Sequence, residues 1–233
     1  MKRLGCIQPS YIPWRGYFHI IQRSDVFVFH EDIQYTKQDW RNRNQVKTEA
    51  GLRWLTVPVQ RQTSKGTIAE VLIDHTDPWN KKHWRIIEQA YRTAPYFAQY
   101  RPFFEDLYNR HWDRLMDLDI AFTKGICDLL GIRTEFVLSS SLHLTGVKTD
   151  RLIQMCQKLH ITDYLSGPAA RDYIEMDKFE AIGVRVEYQN YDYPDYPQLH
   201  GAFEPHVSII DLLFNCGDTA LEYLRNEATT RTS

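Results

Sequence analysis

Short apolar runs alternate with amphipathic segments along most of the chain. Residues 3–8 and 26–29 have the apolar, β-prone character of short strands, and residues 16–22 between them have helical spacing. The second half repeats this order, with strands predicted over residues 134–139, 162–166 and 185–189 and helices over 149–159 and 175–182. Such alternation predicts an α/β fold built on a mostly parallel, Rossmann-like layered sheet with helices on both faces.

Three stretches interrupt the alternation. Residues 45–60 have the pattern of a β-hairpin around a Glu-Ala-Gly turn, and residues 68–74 are predicted as a further strand. Residues 78–131 form a predicted helical insertion, which starts after an Asp-Pro pair and ends at Gly131.

The carboxyl-terminal part is predicted to be helical. Two helices are expected over residues 207–216 and 219–226, separated by Gly217, and the polar residues 227–233 are expected to be a flexible tail. We therefore expect a single α/β domain over residues 1–226.

The composition is that of an ordinary globular protein. The 233 residues are 43% hydrophobic and 25% charged with a formal net charge of −2, which excludes disordered and fibrous classes. The four cysteines form no C-x-x-C pair, so we expect reduced thiols and no disulfides. With no signal-peptide pattern and no apolar run long enough for a membrane span, the sequence predicts a cytoplasmic location.

The small net charge is an average over two opposite segments. Residues 35–65 contain seven basic and two acidic residues, whereas residues 163–218 contain eleven acidic and three basic residues. Either the two segments attract each other, or the basic one forms a cationic mouth for a phosphorylated ligand. The sequence pI of about 6.5 argues against binding of duplex nucleic acid.

Three segments lie where ligands bind in parallel α/β sheets, which is beyond the carboxyl ends of strands. Residues 8–17 either cap the first helix or contact a ligand. Residues 166–173 either form a turn that ends a strand or contact a ligand. Residues 31–44 place Tyr35 and Trp40 among cations and amides, a composition that favours recognition of an anion or a sugar.

Several common motifs are missing. The sequence has no Walker A, dinucleotide-binding or nucleophile-elbow motif. Its nine histidines show no metal-ligand spacing, so the sequence predicts no metal site, and it indicates no particular cofactor or oligomeric state. The serines at 139–141 follow a strand and offer hydroxyls to a phosphate, but no partnered base is visible for a nucleophilic serine.

Five sequence blocks spread over nearly the whole chain carry a family resemblance. They are IQPSYIPWRGYF at residues 7–18, QYTKQDWRNRNQVK at 34–47, WLTVPV at 54–59, YLSG at 164–167 and SIIDLLFNCG at 208–217. In these blocks the sequence resembles the WbqC-like family of bacterial proteins. The resemblance implies an association with surface-polysaccharide (O-antigen) gene clusters and a transferase role, with glycine as one candidate group.

The residues and the resemblance together give a first hypothesis. We expect an acyl or aminoacyl transferase that takes a nucleotide sugar or another phosphorylated glycan precursor, with Asp32 as the base and Lys37 as a second catalytic group. Arg43 and Lys47 would neutralise phosphate, and the aromatic residues would stack on the base or sugar. The residues predicted to bind substrate are Gln8, Tyr11, Trp14, Tyr17, Gln34, Tyr35, Trp40, Asn42, Arg43, Asn44, Lys47, Ser139, Ser140, Ser166, Gly167, Arg171 and Tyr173.

Two alternatives remain open at this point. One is a nucleotidyl-transferring or adenylate-forming enzyme, because the turn after the first strand has the layout of a nucleotidylyltransferase turn although it lacks both histidines. The other is a non-catalytic binding component of a glycan assembly pathway.

Overall fold

The computed structural model describes residues 1–224, and all structural statements concern this range. Its centre is a sheet of five parallel strands in the order β5-β2-β1-β6-β7. The strands are β1 (Arg3–Ile7), β2 (Val26–Phe29), β5 (Glu135–Leu138), β6 (Asp163–Ser166) and β7 (Arg185–Tyr188). The mostly parallel α/β sheet expected from the sequence is confirmed.

Helices cover both faces of this sheet. The seven α-helices of the described range are α1 (Arg15–Gln22), α2 (Trp79–Tyr91), α3 (Phe97–Asn109), α4 (Leu115–Leu129), α5 (Thr149–Lys158), α6 (Met176–Ala181) and α7 (Ile209–Cys216). In β2, Phe27 and Phe29 face the larger core, while Val26 and Val28 face a smaller core that includes residues of α5 and α6. Because both faces of β2 are buried, its sequence is an unbroken apolar run rather than an alternating one.

The structure contains both the hairpin and the helical segment that the sequence predicts between the two halves of the sheet. A separate antiparallel hairpin joins β3 (Arg43–Thr48) to β4 (Gly51–Thr56), with Arg43 opposite Thr56. Helices α2, α3 and α4 occupy the segment predicted as a helical insertion. In the described range no helix has the length and apolar character needed to cross a membrane, and all four cysteines are free.

The strand predicted over residues 68–74 is wrong. Ile68–Glu70 is a short 3-10 helix instead, and only Leu72 and Ile73 make isolated β-bridges. The Glu70 carboxylate accepts a hydrogen bond from the main-chain nitrogen of Thr67 at 2.8 Å, so a capping box closes this turn. That local interaction competes with strand pairing and prevails here.

The last predicted helix also differs. Gly217–Leu224 forms a 3-10 helix rather than an α-helix. Residues 225–226 and the predicted tail at 227–233 lie outside the described residues.

Candidate functional site

A cleft lies where the strand order of the parallel sheet reverses. β1 pairs with β2 on one side and with β6 on the other, so the chain leaves the carboxyl ends of β1 and β6 in opposite directions. Such crevices are where ligands bind in open parallel sheets. The cleft has a volume of about 450 Å³, and its lining includes Ser10 after β1 and Ala169 after β6. A cavity of this size suits a small organic molecule.

Four aromatic side chains line the cleft. Trp14, Tyr17, Trp40 and Tyr191 all line it. The rings of Trp14 and Tyr191 meet edge to face, with centroids 4.9 Å apart. Trp40 is 45% exposed, and its carbonyl oxygen accepts a hydrogen bond from the main-chain nitrogen of Tyr11 at 3.0 Å. That bond fixes the loop bearing Trp40 against the turn that follows β1.

The polar side chains that line the same cleft include Arg41, Gln189 and His206. Arg41 Nη1 lies 3.3 Å from a carboxylate oxygen of Asp39, while its buried Nε has no hydrogen-bond partner among the described residues. Gln189 donates from Nε2 to the carbonyl oxygen of Gly16 at 3.0 Å. His206 is exposed, and its ring stacks on the indole of Trp14 with centroids 6.2 Å apart.

A buried carboxyl group on α4 interacts electrostatically with residues of the cleft wall. Asp119 is fully buried, and within residues 1–224 neither of its carboxylate oxygens has a hydrogen-bond partner. Burial raises the pKa of Asp119 well above its usual value, an effect that the Arg41 guanidinium opposes. Burial and the charge of Asp119 in turn raise the pKa of Tyr17. Asp119 is therefore a neutral acid over a pH range in which ordinary aspartates are ionised.

Most of the polar side chains of residues 42–47 that were predicted to bind substrate make hydrogen bonds within the fold instead. The side-chain amide of Asn42 donates to the carbonyl oxygen of Val57 at 2.9 Å, and that of Asn44, which borders the cleft, donates to Ile12 at 2.9 Å. The Lys47 ammonium is buried and donates to Gln198 Oε1 at 3.0 Å and to a main-chain carbonyl. These side chains hold the hairpin to its surroundings.

Arg43, which the sequence analysis predicts to neutralise phosphate, does not line the cleft. The Arg43 guanidinium lies over the ring of Trp54 on the outer face of the hairpin, 4.4 Å from its centroid. Arg41, two residues earlier, lines the cleft instead. Arg41 is therefore a cation of the cleft lining, and Arg43 is not.

Tyr11, Tyr35 and Gln34 are also absent from the cleft lining. The Tyr11 hydroxyl is fully buried and hydrogen-bonds to Nδ1 of His83 at 2.9 Å and to the Tyr108 hydroxyl at 2.5 Å. Tyr35 is buried in the larger core. Gln34 donates to the carbonyl oxygen of residue 66 at 3.0 Å, which ties its loop to the neighbouring one.

Asp32 belongs to a different polar cluster, at the carboxyl ends of β2 and β5. One of its carboxylate oxygens accepts from Arg151 at 2.5 Å and the other from the Ser139 hydroxyl at 2.5 Å. Partial burial opposes ionisation of Asp32, but these hydrogen bonds outweigh it and lower its pKa. The His30 imidazole lies 3.9 Å from Asp32 and accepts a hydrogen bond from Arg151.

The predicted serines serve this second cluster. The main-chain nitrogens of Ser139 and Ser140 donate to the buried carboxylate of Glu31 at 2.9 and 3.0 Å. Cys6 contributes to the core on the α5 face, and burial raises the pKa of its thiol. The edge of the sheet therefore carries two polar regions, the cleft beside α1 and an ion-pair cluster that includes Arg151 of α5.

The remaining predicted residues are dispersed. Ser166 is the buried last residue of β6, and Gly167 precedes a short 3-10 helix. Arg171 lies over the Tyr188 ring at 4.9 Å, and Tyr173 is about half exposed. Lys37 is exposed in its loop, and Gln8 accepts the hydrogen bond of Tyr17 through its main-chain carbonyl at 3.1 Å.

The predicted set lacks several residues of the cleft lining, among them these four: Arg41, Gln189, Tyr191 and His206. Arg41 sits inside the predicted 31–44 loop, so its neighbours were a usable signal. The other three follow β7 in residues 189–206, a stretch with no recognisable motif, and only the fold brings them to β1.

Comparison with known proteins identifies the family. The model of the WbqC-like protein family matches residues 8–223, nearly the whole chain. The chain belongs to the WbqC-like protein family. It is also 46% identical over 228 residues to "Uncharacterized protein Rv1507c" of Mycobacterium tuberculosis, a match that covers 97% of this chain and 98% of that protein. No solved structure matches the chain significantly.

The buried acid of this WbqC-like protein gives a stability prediction. The unfolded chain loses the Asp119 proton near the usual pKa of 3.8, whereas the folded chain keeps it. The contribution of Asp119 to the free energy of unfolding therefore falls as pH rises above about 3.8, by up to about 1.4 kcal/mol per pH unit until the folded pKa is passed. Asp119→Asn should abolish this loss and become more stable than the wild type as pH rises, as measured by urea unfolding from pH 4 to 8.

Asp117, exposed on the same helix, supplies the matched control. Asp117→Asn should follow the wild-type pH profile. A stability difference between Asp119→Asn and wild type that stays constant from pH 4 to 8 would contradict the assignment of a raised pKa.

Proposed function

We propose that this WbqC-like protein is an acyl or aminoacyl transferase that acts on a nucleotide sugar or a related glycan precursor in surface-polysaccharide biosynthesis, with glycine among the candidate groups. The observation that carries the proposal is the aromatic cleft at the point where the strand order reverses. The transferase class is supported by the resemblance to the family, and the ligand class by the chemistry of the cleft wall.

The cleft wall suits a ligand with flat rings and a phosphate group. Trp14 and Trp40 offer indole faces to a nucleobase or to the apolar face of a sugar. Arg41 offers a planar guanidinium, the side chain best suited to binding phosphate oxygens in two places at once. Gln189 and Asn44 border the same space, where amide groups can orient sugar hydroxyls.

The group transfer requires a base near the acceptor. The acceptor amine or hydroxyl attacks the carbonyl carbon of an activated acyl donor, its proton passes to the base, and the donor's leaving group departs with the electron pair of the broken bond. In this proposal His206, which lines the cleft, takes that proton. Asp32 instead keeps its ion pair with Arg151, because its lowered pKa makes it a weak base.

Trp40 and Trp54 allow a matched test of ligand binding. They pack on each other with centroids 5.6 Å apart and are exposed to 45% and 42%, but only Trp40 lines the cleft. Trp40→Ala should weaken binding of a uridine diphosphate sugar about tenfold, since stacking on an aromatic side chain is worth about 1–3 kcal/mol per base. Trp54→Ala should change it less than about threefold. Calorimetric titration measures both, and equal losses in the two variants would overturn the ligand pose.

The base is tested separately by turnover. His206→Gln should lower the rate of acyl transfer from an activated glycine donor to the nucleotide sugar by about 10²–10⁴-fold, the usual contribution of a general base, while sugar binding persists. The control is His143→Gln, an exposed histidine outside the cleft lining, which should match wild type.

The variant Asp32→Asn tests the competing assignment, in which Asp32 is the base. We expect it to lower the melting temperature, because Arg151 loses its partner, and to retain more turnover than His206→Gln. If Asp32→Asn abolishes turnover and His206→Gln does not, the base is Asp32 and this part of the proposal is wrong. Pyrophosphate exchange with a nucleoside triphosphate would favour nucleotidyl transfer over acyl transfer.

A further inference from the structure

We propose that His75, His111 and Asp113 form a binding site for a divalent transition metal, with zinc as the metal their chemistry favours. Each residue offers one ligand atom, and these atoms lie within 4.8 Å of one another. None of the three lines the cleft, so this proposal stands apart from the proposed transferase function.

Main-chain hydrogen bonds bring the segment that bears His75 close to the segment that bears His111 and Asp113. The nitrogen of Ile73 donates to the carbonyl oxygen of Asp113 at 2.8 Å, and the nitrogen of Leu115 donates to Val71 at 3.0 Å. A β-bridge joins Leu72 to Arg114 between these two bonds. The backbone positions of the histidines are therefore set by the fold, although 36 residues separate them in the sequence.

The imidazole of His75 is oriented as that of a metal-binding histidine usually is. Nε2 of His75 lies 3.0 Å from the main-chain carbonyl oxygen of Trp112. Because a carbonyl oxygen only accepts, Nε2 carries the proton and Nδ1 keeps its lone pair. A metal-ligating histidine typically donates its second ring nitrogen to a backbone carbonyl or a carboxylate in this way.

His111 presents Nε2, not Nδ1, to the carboxylate of Asp113. The distance from Nε2 to Oδ1 of Asp113 is 3.0 Å, which is close to the separation of two ligand atoms on one zinc ion, so a metal that replaces the Nε2 proton is bound by both residues. The two imidazole rings stack with centroids 4.4 Å apart and an interplanar angle of 26°. His75, through Nδ1, supplies the third ligand atom.

The ligand set selects the metal. Two imidazole nitrogens and one carboxylate oxygen suit zinc, which binds such atoms at about 2.0–2.2 Å and completes a tetrahedron with water. Ligand atoms 4.8 Å apart must therefore approach one another by about 1–1.5 Å. His111 and Asp113 have side-chain exposures of 69% and 82%, so they are free to make that adjustment. Magnesium and calcium prefer oxygen ligands and fit poorly.

A bound metal would crosslink two parts of the chain. It would tie the loop between α3 and α4 to the segment before α2, in addition to the main-chain hydrogen bonds. A metal that binds the folded chain and not the unfolded chain stabilises the fold by mass action. Zinc should therefore raise the melting temperature as well as bind.

The test is calorimetric titration of zinc chloride into untagged protein that has been treated with a chelator. We expect one zinc per chain, and at least about tenfold weaker binding in His75→Asn, His111→Asn and Asp113→Asn. The matched control is His160→Asn, since His160 is an exposed histidine outside the cluster and Asn tolerates its positive φ of 54°. It should bind zinc like wild type.

Melting curves of the same proteins give a second readout. Zinc should raise the melting temperature of wild type and of His160→Asn, and should raise that of the two cluster histidine variants less at the same zinc concentration. Without metal, these two variants should keep the wild-type melting temperature. The proposal is overturned if wild type binds no zinc, if the cluster variants bind it as tightly as wild type, or if magnesium binds equally well.

Discussion

The pairing of β1 between β2 and β6 is the constraint on which the rest of the molecule depends. Leu4 lies opposite Val26 on one side and Tyr164 on the other, so β1 is hydrogen-bonded along both edges and buried on both faces. Gly5 at its centre permits the close approach of α1. A Cβ atom there would lie 2.6 Å from Ser24 Oγ and 2.7 Å from Ile20. Because the strand order reverses at β1, its carboxyl end opens into a crevice that no neighbouring crossover covers.

The walls of that crevice are held by buried polar contacts remote from it. Asp211 on α7 accepts hydrogen bonds from the Tyr91 and Tyr196 hydroxyls, each at 2.9 Å. Burial raises the pKa of Asp211 despite these bonds. Tyr196 belongs to the same stretch as Tyr191 and His206, so α7 and α2 together position the residues that complete the cleft. Buried groups with satisfied hydrogen bonds fix a loop more sharply than apolar contacts do.

The sequence predicted the sheet, and the cleft lies at the edge of the sheet where the sequence analysis expects a ligand, but most side chains of the cleft lining were not predicted. Strands such as Val26–Phe29 are recognisable because burial on both faces requires an unbroken apolar run. Residues 68–70 were predicted as strand because their apolar pattern hides the Glu70 cap. Arg41 and Arg43 are two residues apart, and only the start of β3 at Arg43 and its contact with Trp54 decide which one faces the cleft. His75 and His111 belong to no sequence motif, because the β-bridge between Leu72 and Arg114 brings them together and their spacing in the sequence does not.

Asp32 and His206 show the limit of reasoning from residue types. Both lie at the carboxyl edge of the sheet in groups with catalytic character, yet Asp32 is engaged by Arg151 and Ser139 while His206 borders open space. The proposed ligand site is therefore the cleft beside α1 and not the Asp32 cluster. A crystal structure of the protein with a bound uridine diphosphate sugar tests this most directly. We expect the ligand's rings against Trp14 and Trp40 and its phosphates within hydrogen-bond distance of Arg41. A ligand bound beside Asp32 and Arg151, with the cleft empty, would contradict the account.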